Sequence, residues 1–236
     1  MKNRFAKGMY DGIPIALGYL SVSFGFGILA VKCGLSVLSA GIVSLTNITS
    51  AGQAAGVDII AAGGTIIEMI LVQLTINIRY SLMGITLSQK LDKSFTLKHR
   101  LIASYGITDE IFVLCASQKD RLKPSYMYGM ILVAALGWTS GTVIGAAAGQ
   151  LLPQDITNAM GILLYGMFLA IIVPPSRKQI SVLITVIISA LISILFRFVL
   201  DFVSGGFAVI ISAVAASAVA AILFPVNIKD EEGEEE

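Results

Sequence analysis

The chain has 236 residues, 56% of them hydrophobic and 13% charged, with a net charge of +1 and a mean hydropathy of +0.86. A soluble domain carries about a quarter charged residues, so this composition excludes a soluble globular fold. No basic stripe alternates with aromatics, so nucleic acid has no footprint here. The composition predicts an all-α integral membrane protein, a polytopic helical bundle in the lipid bilayer. Residues 1–228 form a single transmembrane domain in this reading, and the acidic run at 229–236 reads as a solvated, disordered tail.

Lys2, Arg4 and Lys7 precede an apolar run, as in a signal peptide. That run continues past a signal core without a small-residue cleavage site, so 13–31 reads as a retained first span. Five further segments are apolar enough to cross: 65–88, 125–151, 156–173, 180–200 and 206–224. Each needs only about 17–25 residues to span the hydrocarbon. All six prolines are expected at segment edges, where a missing amide costs least.

Two segments break the pattern. The centre of 35–60 carries Asn47, Thr49, Ser50 and Gln53 beside Gly52 and Gly56. Polar, Gly-containing backbone is tolerated at membrane depth only where it faces a cavity, which predicts a broken helix. The segment 101–118 places Thr108, Asp109 and Glu110 near its middle. If both segments crossed fully, the basic cluster at 90–100 would lie outside and that at 119–123 inside. If both are re-entrant, every basic cluster falls on the cytoplasmic side together with both termini, as the positive-inside rule prefers. The two topologies are alternatives at this level, about six full spans plus two broken segments in the second.

The polar residues within these segments are the candidate site. A charge at the bilayer centre costs about 2.5–3.5 kcal/mol on insertion scales, so intramembrane charges are usually paired and functional. On 65–88, Glu68, Thr75 and Arg79 share one face, with Gln73 and Asn77 nearly opposite. Arg79 suits a carboxylate, which a guanidinium binds through two parallel bonds. It equally suits an ion pair with Asp109 or Glu110. Of that adjacent pair, one carboxylate could face Arg79 while the other meets a substrate ammonium or a coupling proton. The break at Asn47, Thr49, Ser50 and Gln53 exposes free backbone groups of the kind that hold zwitterions in secondary transporters. Gly137, Gly141, Gly145 and Gly149 repeat every fourth residue, a small-residue stripe for close helix packing. The packing partner is a helix of this chain or of a second subunit. Arg197 and Asp201 read as an interfacial ion pair.

Other chemistry is not signalled. Cys33 and Cys115 read as buried thiols, and His99 as a solvated loop residue. No cofactor, metal site or enzyme activity is expected, and no phosphate-binding loop is present.

Several stretches, in order and spacing, resemble the AzlC family of branched-chain amino acid exporters over nearly the whole chain. They are Gly12-Ile13-Pro14 with Gly18 and Gly25, Leu45 to Gln53, Asn77-Ile78-Arg79-Tyr80, Thr108-Asp109-Glu110, and Trp138 to Thr142 with Gly145 and Gly149. Many members have Phe-Ala-Gly-Ala-Ser-Gln where this chain has Ile48-Thr49-Ser50-Ala51-Gly52-Gln53. The resemblance implies a multi-pass protein of the bacterial cytoplasmic membrane that exports leucine, isoleucine, valine or analogues. It also implies a small hydrophobic membrane partner of the AzlD type. Protons are a candidate coupling ion. A channel-like pore and a non-transporting scaffold are the alternatives.

Overall fold

The structure, a computed structural model, describes residues 4–151, 153, 155, 166, 169, 172–200 and 202–225. Most of 156–173, Asp201 of the expected Arg197 pair and the acidic tail lie outside the described residues. Within them the chain is helical, with one isolated bridge between Leu91 and Leu122 and no named strand. The helices are α1 (Arg4–Lys32), α2 (Val37–Thr46), α3 (Ala51–Ala61), α4 (Ile66–Ser88), α5 (Leu97–Ser104), α6 (Asp109–Ala116), α7 (Pro124–Leu151), and two more, Ile180–Phe198 and Gly205–Leu223. Five of them are long and apolar enough to cross a membrane: α1, α4, α7 and the last two.

Both irregular segments are broken as the sequence predicts. α2 and α3 flank a break at 47–50, and α5 and α6 flank one at 105–108. Ser36 starts α2 by accepting from the Ser39 amide at 3.0 Å. Pro124 opens α7, where its locked φ fits and its missing N–H would have no partner. Pro14 departs from expectation, lying inside α1 rather than at its edge, and Pro174 and Pro175 lie within the helical run 172–178. α1 begins about ten residues before the apolar run because Arg4–Gly12 also packs along α7. His99 likewise sits on α5, half-buried, with Nδ1 2.7 Å from Tyr128 Oη.

The described chain forms two compact units, Met1–Gly63 with Ile76–Met167, and Gly64–Thr75 with Phe168–Glu236. In the first, α1 and α7 run parallel with their backbones in close approach. A Cβ added at Gly137 would meet Ala16 O at 2.4 Å, one at Gly141 would meet Leu20 O at 2.3 Å, and one at Gly145 would meet Phe24 O at 2.0 Å. Gly149 lies against Ile28 more loosely, at 3.4 Å. The partner of the glycine stripe is therefore the chain's own first helix. Glycine is needed here because two backbones approach within van der Waals contact.

The two broken segments are hairpins that return to the end they left. Cys33, after α1, lies 3.8 Å from Asp58 near the end of α3. At the opposite end of α1, Lys90 reaches the carbonyls of Ala116 and Gln118, and Asp92 and Lys90 exchange backbone bonds with Leu122 at 2.9 Å. Arg4 to Asp120 (3.3 Å) and Lys7 to Gln118 (3.2 Å) tie the start of α1 to the same end. There the Ser94 hydroxyl and amide hold the Asp92 carboxyl below its ordinary range. Ile48 from the first tip and Ile111 beside the second are buried in one core with Met130 and Trp138.

In the second unit, Ser193 and Ser212 pair the last two helices at 3.4 Å. Glu68, 4% exposed, accepts from Ser204 Oγ at 2.5 Å and Gly206 N at 3.0 Å. Its carboxylate thus caps the start of Gly205–Leu223, where the helix dipole favours negative charge. No residue of Ile180–Phe198 is buried; Ser181, Thr185, Ser189, Ser193 and Arg197 line one face and the rest is apolar. Such a surface is stable only in lipid.

Candidate functional site at the hairpin tips

The break between α5 and α6 positions the acidic pair. Thr108 ends the extended stretch, and its hydroxyl accepts from the Ile111 amide, starting α6 at Asp109. Both carboxylates therefore occupy the first turn of a helix, the end that stabilises negative charge. Asp109 Oδ2 lies 2.6 Å from Arg79 Nη1, each side chain being about one-third to two-fifths exposed. Arg79 Nη2 also donates to Tyr80 Oη at 3.3 Å. Two of its five N–H donors serve these bonds, so the guanidinium has donors left for a second carboxylate.

Glu110 turns the other way, as the roughly 100° step between adjacent helical residues requires. Its Oε2 lies 2.5 Å from Tyr19 Oη on α1, which is also 2.6 Å from Thr108 Oγ1. Tyr19 is 8% exposed, and its ring meets Trp138 edge-on at a centroid distance of 5.3 Å. Of the predicted site residues, Arg79, Thr108, Asp109 and Glu110 thus form one cluster. Asn77 is half-buried on α4, two positions before Arg79 and hence about 200° around the helix.

The first tip is a separate network, joined to the second by the Tyr105 hydroxyl, which donates to the Leu45 carbonyl. Asn47 ends α2 in an extended conformation. Ser50 has φ 50°, the one positive φ among described non-glycine residues. Strain of this kind costs about 1–3 kcal/mol and concentrates at functional sites. Gln53, 2% exposed, accepts from the Ser50 amide (3.4 Å) and donates to Ser44 Oγ (3.1 Å), which is 2.6 Å from Thr142 Oγ1. Gln53→Leu is expected to cost about 1–3 kcal/mol, the price of stranding buried polar partners, measurable as a lower Tm in detergent. An unchanged Tm would mean that the break holds without this side chain.

Ser23 Oγ, Thr49 Oγ1 and Trp138 Nε1 are buried without a hydrogen-bond partner among the described residues. A largely apolar cavity of about 160 Å³ lies between α4, α5 and α7, lined by Leu87, Phe95, Ala103, Ile107 and Met127 among others, with Arg100, Ser88 and Ser104 also at its wall. Among the described residues no group of three or more His, Cys, Asp and Glu is placed to hold a metal. The sequence reading missed Tyr19, Ser44 and Thr142. A tyrosine hydroxyl in mid-span was the available signal, since a buried phenol usually needs a partner.

Long apolar helices and two polar-tipped hairpins define a helical membrane protein. The chain belongs to the AzlC family, whose profile (AzlC protein) matches residues 14–152. It is 27% identical over 172 residues to an uncharacterized membrane protein of Archaeoglobus fulgidus, covering 72% of this chain and 75% of that one. It is 26% identical over 188 residues to the inner membrane protein YgaZ of Escherichia coli K12, covering 77% of each. An uncharacterized membrane protein of Helicobacter pylori J99 is 25% identical over 183 residues, 74% of this chain and 78% of its own. No solved structure matches significantly. Family and relatives together point to a membrane protein of the transporter type.

Proposed function

We propose that this chain is a secondary transporter of the cytoplasmic membrane that exports branched-chain amino acids, working with a small AzlD-type membrane subunit. The observation that carries the reading is the meeting of two hairpin tips from opposite ends, with Arg79, Asp109 and Glu110 beside their junction. Both hairpins are re-entrant in this topology, and the basic end of the first unit, with both termini, faces the cytoplasm.

Arg79 holds the substrate carboxylate with its remaining donors. Asp109 or Glu110 faces the ammonium or the coupling proton, and the Asn47–Gln53 break is the opposing gate. Unpartnered buried hydroxyl and indole groups cost about 1–3 kcal/mol each, which is more easily borne where a passing ligand bonds to them. The largely apolar cavity beside Ile107 suits an aliphatic side chain. Apolar pockets discriminate by only about 1–3 kcal/mol per methylene, so leakage among valine, leucine, isoleucine and methionine is expected. The AzlC membership supports the substrate class and the partner.

The test is efflux of labelled leucine and valine from cells expressing the chain with an AzlD-type partner. Saturable efflux above that of cells lacking the chain supports the reading. Absence of efflux under any gradient, with the protein inserted in the membrane, sinks it.

A further inference from the structure

The adjacent carboxylates at the second tip are held by chemically different partners, and that difference assigns their roles. We propose that Glu110, not Asp109, takes up and releases the coupling proton, with Tyr19 and Thr108 forming a hydrogen-bond chain that serves both charge states. The assignment rests on the transporter reading above.

Asp109 is paired with Arg79 at 2.6 Å. Protonating it would leave the guanidinium without its counter-ion inside the membrane, where an unpaired charge is costly. Glu110 instead meets a neutral phenol, whose oxygen both donates and accepts. Tyr19 has a single proton and two neighbours, Glu110 Oε2 at 2.5 Å and Thr108 Oγ1 at 2.6 Å. When Glu110 is ionised, the phenol donates its one proton to it. When Glu110 carries the proton, its O–H donates to the phenol oxygen and the phenol donates to Thr108 Oγ1. Thr108 has two lone pairs, so it accepts this bond beside the one from the Ile111 amide. One proton is added to a carboxylate oxygen, and the phenol O–H turns from Glu110 to Thr108, so Tyr19 serves both charge states.

The groups facing Glu110 fit this role. From α1 it meets Tyr19; from α4, Arg79 and Tyr80 act on the same acidic pair; on its own helix stands Asp109. Trp138 of α7 meets the Tyr19 ring and carries no charge. Protonating Glu110 removes a like charge from beside Asp109 and leaves Asp109 and Arg79 as a neutral pair. Glu110 is exposed within the chain.

Two measurements test the assignment. In proteoliposomes holding the chain and its AzlD-type partner, Glu110→Gln is expected to remove the dependence of leucine flux on an imposed proton gradient. Leucine flux in Glu110→Gln that still follows the proton gradient overturns it. Trp138 is the single tryptophan, so its fluorescence in lipid nanodiscs reports on Tyr19 without any substrate. A pH titration of that signal is expected in wild type and in Asp109→Asn, and lost in Glu110→Gln and altered in Tyr19→Phe. A titration unchanged in Glu110→Gln overturns the proposal. Absence of leucine and valine flux in wild type would instead count against the transporter reading, while the fluorescence arm still decides the role of Glu110.

Discussion

Arg79→Ala is expected to abolish branched-chain amino acid efflux, and the loss should not be repaired by removing its partner. The substitution strands Asp109 beside Glu110 with no cation between them. Breaking a fully buried pair costs about 3–5 kcal/mol. Arg79 and Asp109 are 40% and 35% exposed, so a charged hydrogen bond worth about 1.5–3 kcal/mol is the better guide. A purely structural pair and a substrate-binding pair both predict this loss of stability. They part at the double variant Arg79→Ala/Asp109→Ala, in which neither charge remains stranded. Stability, read as Tm in detergent, should recover in the double variant, giving a coupling energy by the usual cycle. Labelled valine efflux should not recover, because the substrate carboxylate has lost its guanidinium. Arg79→Lys should fold well and transport poorly, since an ammonium is a point charge without the planar fork. Restored efflux in the double variant would reduce Arg79 to a structural role.

Gly145→Ala should be among the most damaging single-methyl substitutions in the chain. Two effects oppose each other. Alanine is favoured over glycine in a helix by about 0.5–1 kcal/mol. The new Cβ, however, would lie 2.0 Å from the Phe24 carbonyl oxygen, a backbone atom that moves only if the helices separate. Overpacking costs about 1–3 kcal/mol and occasionally more. A clash with backbone belongs at the upper end, so destabilisation wins. Gly18→Ala is the matched control on α1, since a Cβ there meets nothing within 4 Å. The expected outcome is a clear fall in Tm or in folded yield for Gly145→Ala and none for Gly18→Ala. Equal behaviour of the two variants would mean that α1 and α7 do not pack as closely as described.

Much of this was legible in the sequence, and the limits have physical causes. The boundaries of α4, α7 and the last two helices follow the apolar runs within about two residues, because lipid demands uninterrupted apolar length. The break at Asn47–Ser50 was legible because polar, Gly-containing backbone has few places to go in a bilayer, and that before Asp109 because Thr108, Asp109 and Glu110 sit in mid-segment. Arg79 pairs with Asp109 because an intramembrane charge must find its opposite. Pro14 was misplaced because the polar start of α1 carries no hydropathy signal, although glycines at 8 and 12 pack it on α7. Tyr19 was missed because a tyrosine in an apolar run reads as core. Ser44 and Thr142 were missed because such hydroxyls in spans usually bond back to their own helix, as Thr142 does to Trp138 O at 3.1 Å. Nothing in the local sequence says that these hydroxyls also find each other across 98 positions.

The short helices of the hairpins have an electrical consequence. α2 has ten residues and α5 has eight, so each hairpin arm is only about 12–15 Å deep at 1.5 Å per residue. In the proposed topology each arm alone separates the tips from one aqueous phase. The membrane voltage then drops across two thin partitions in series rather than along one long bundle. Moving one elementary charge through the whole field is worth about 2.3 kcal/mol per 100 mV. A proton reaching Glu110 from either side crosses only part of that drop, so voltage and proton concentration are separable drives whose ratio depends on which arm is closed.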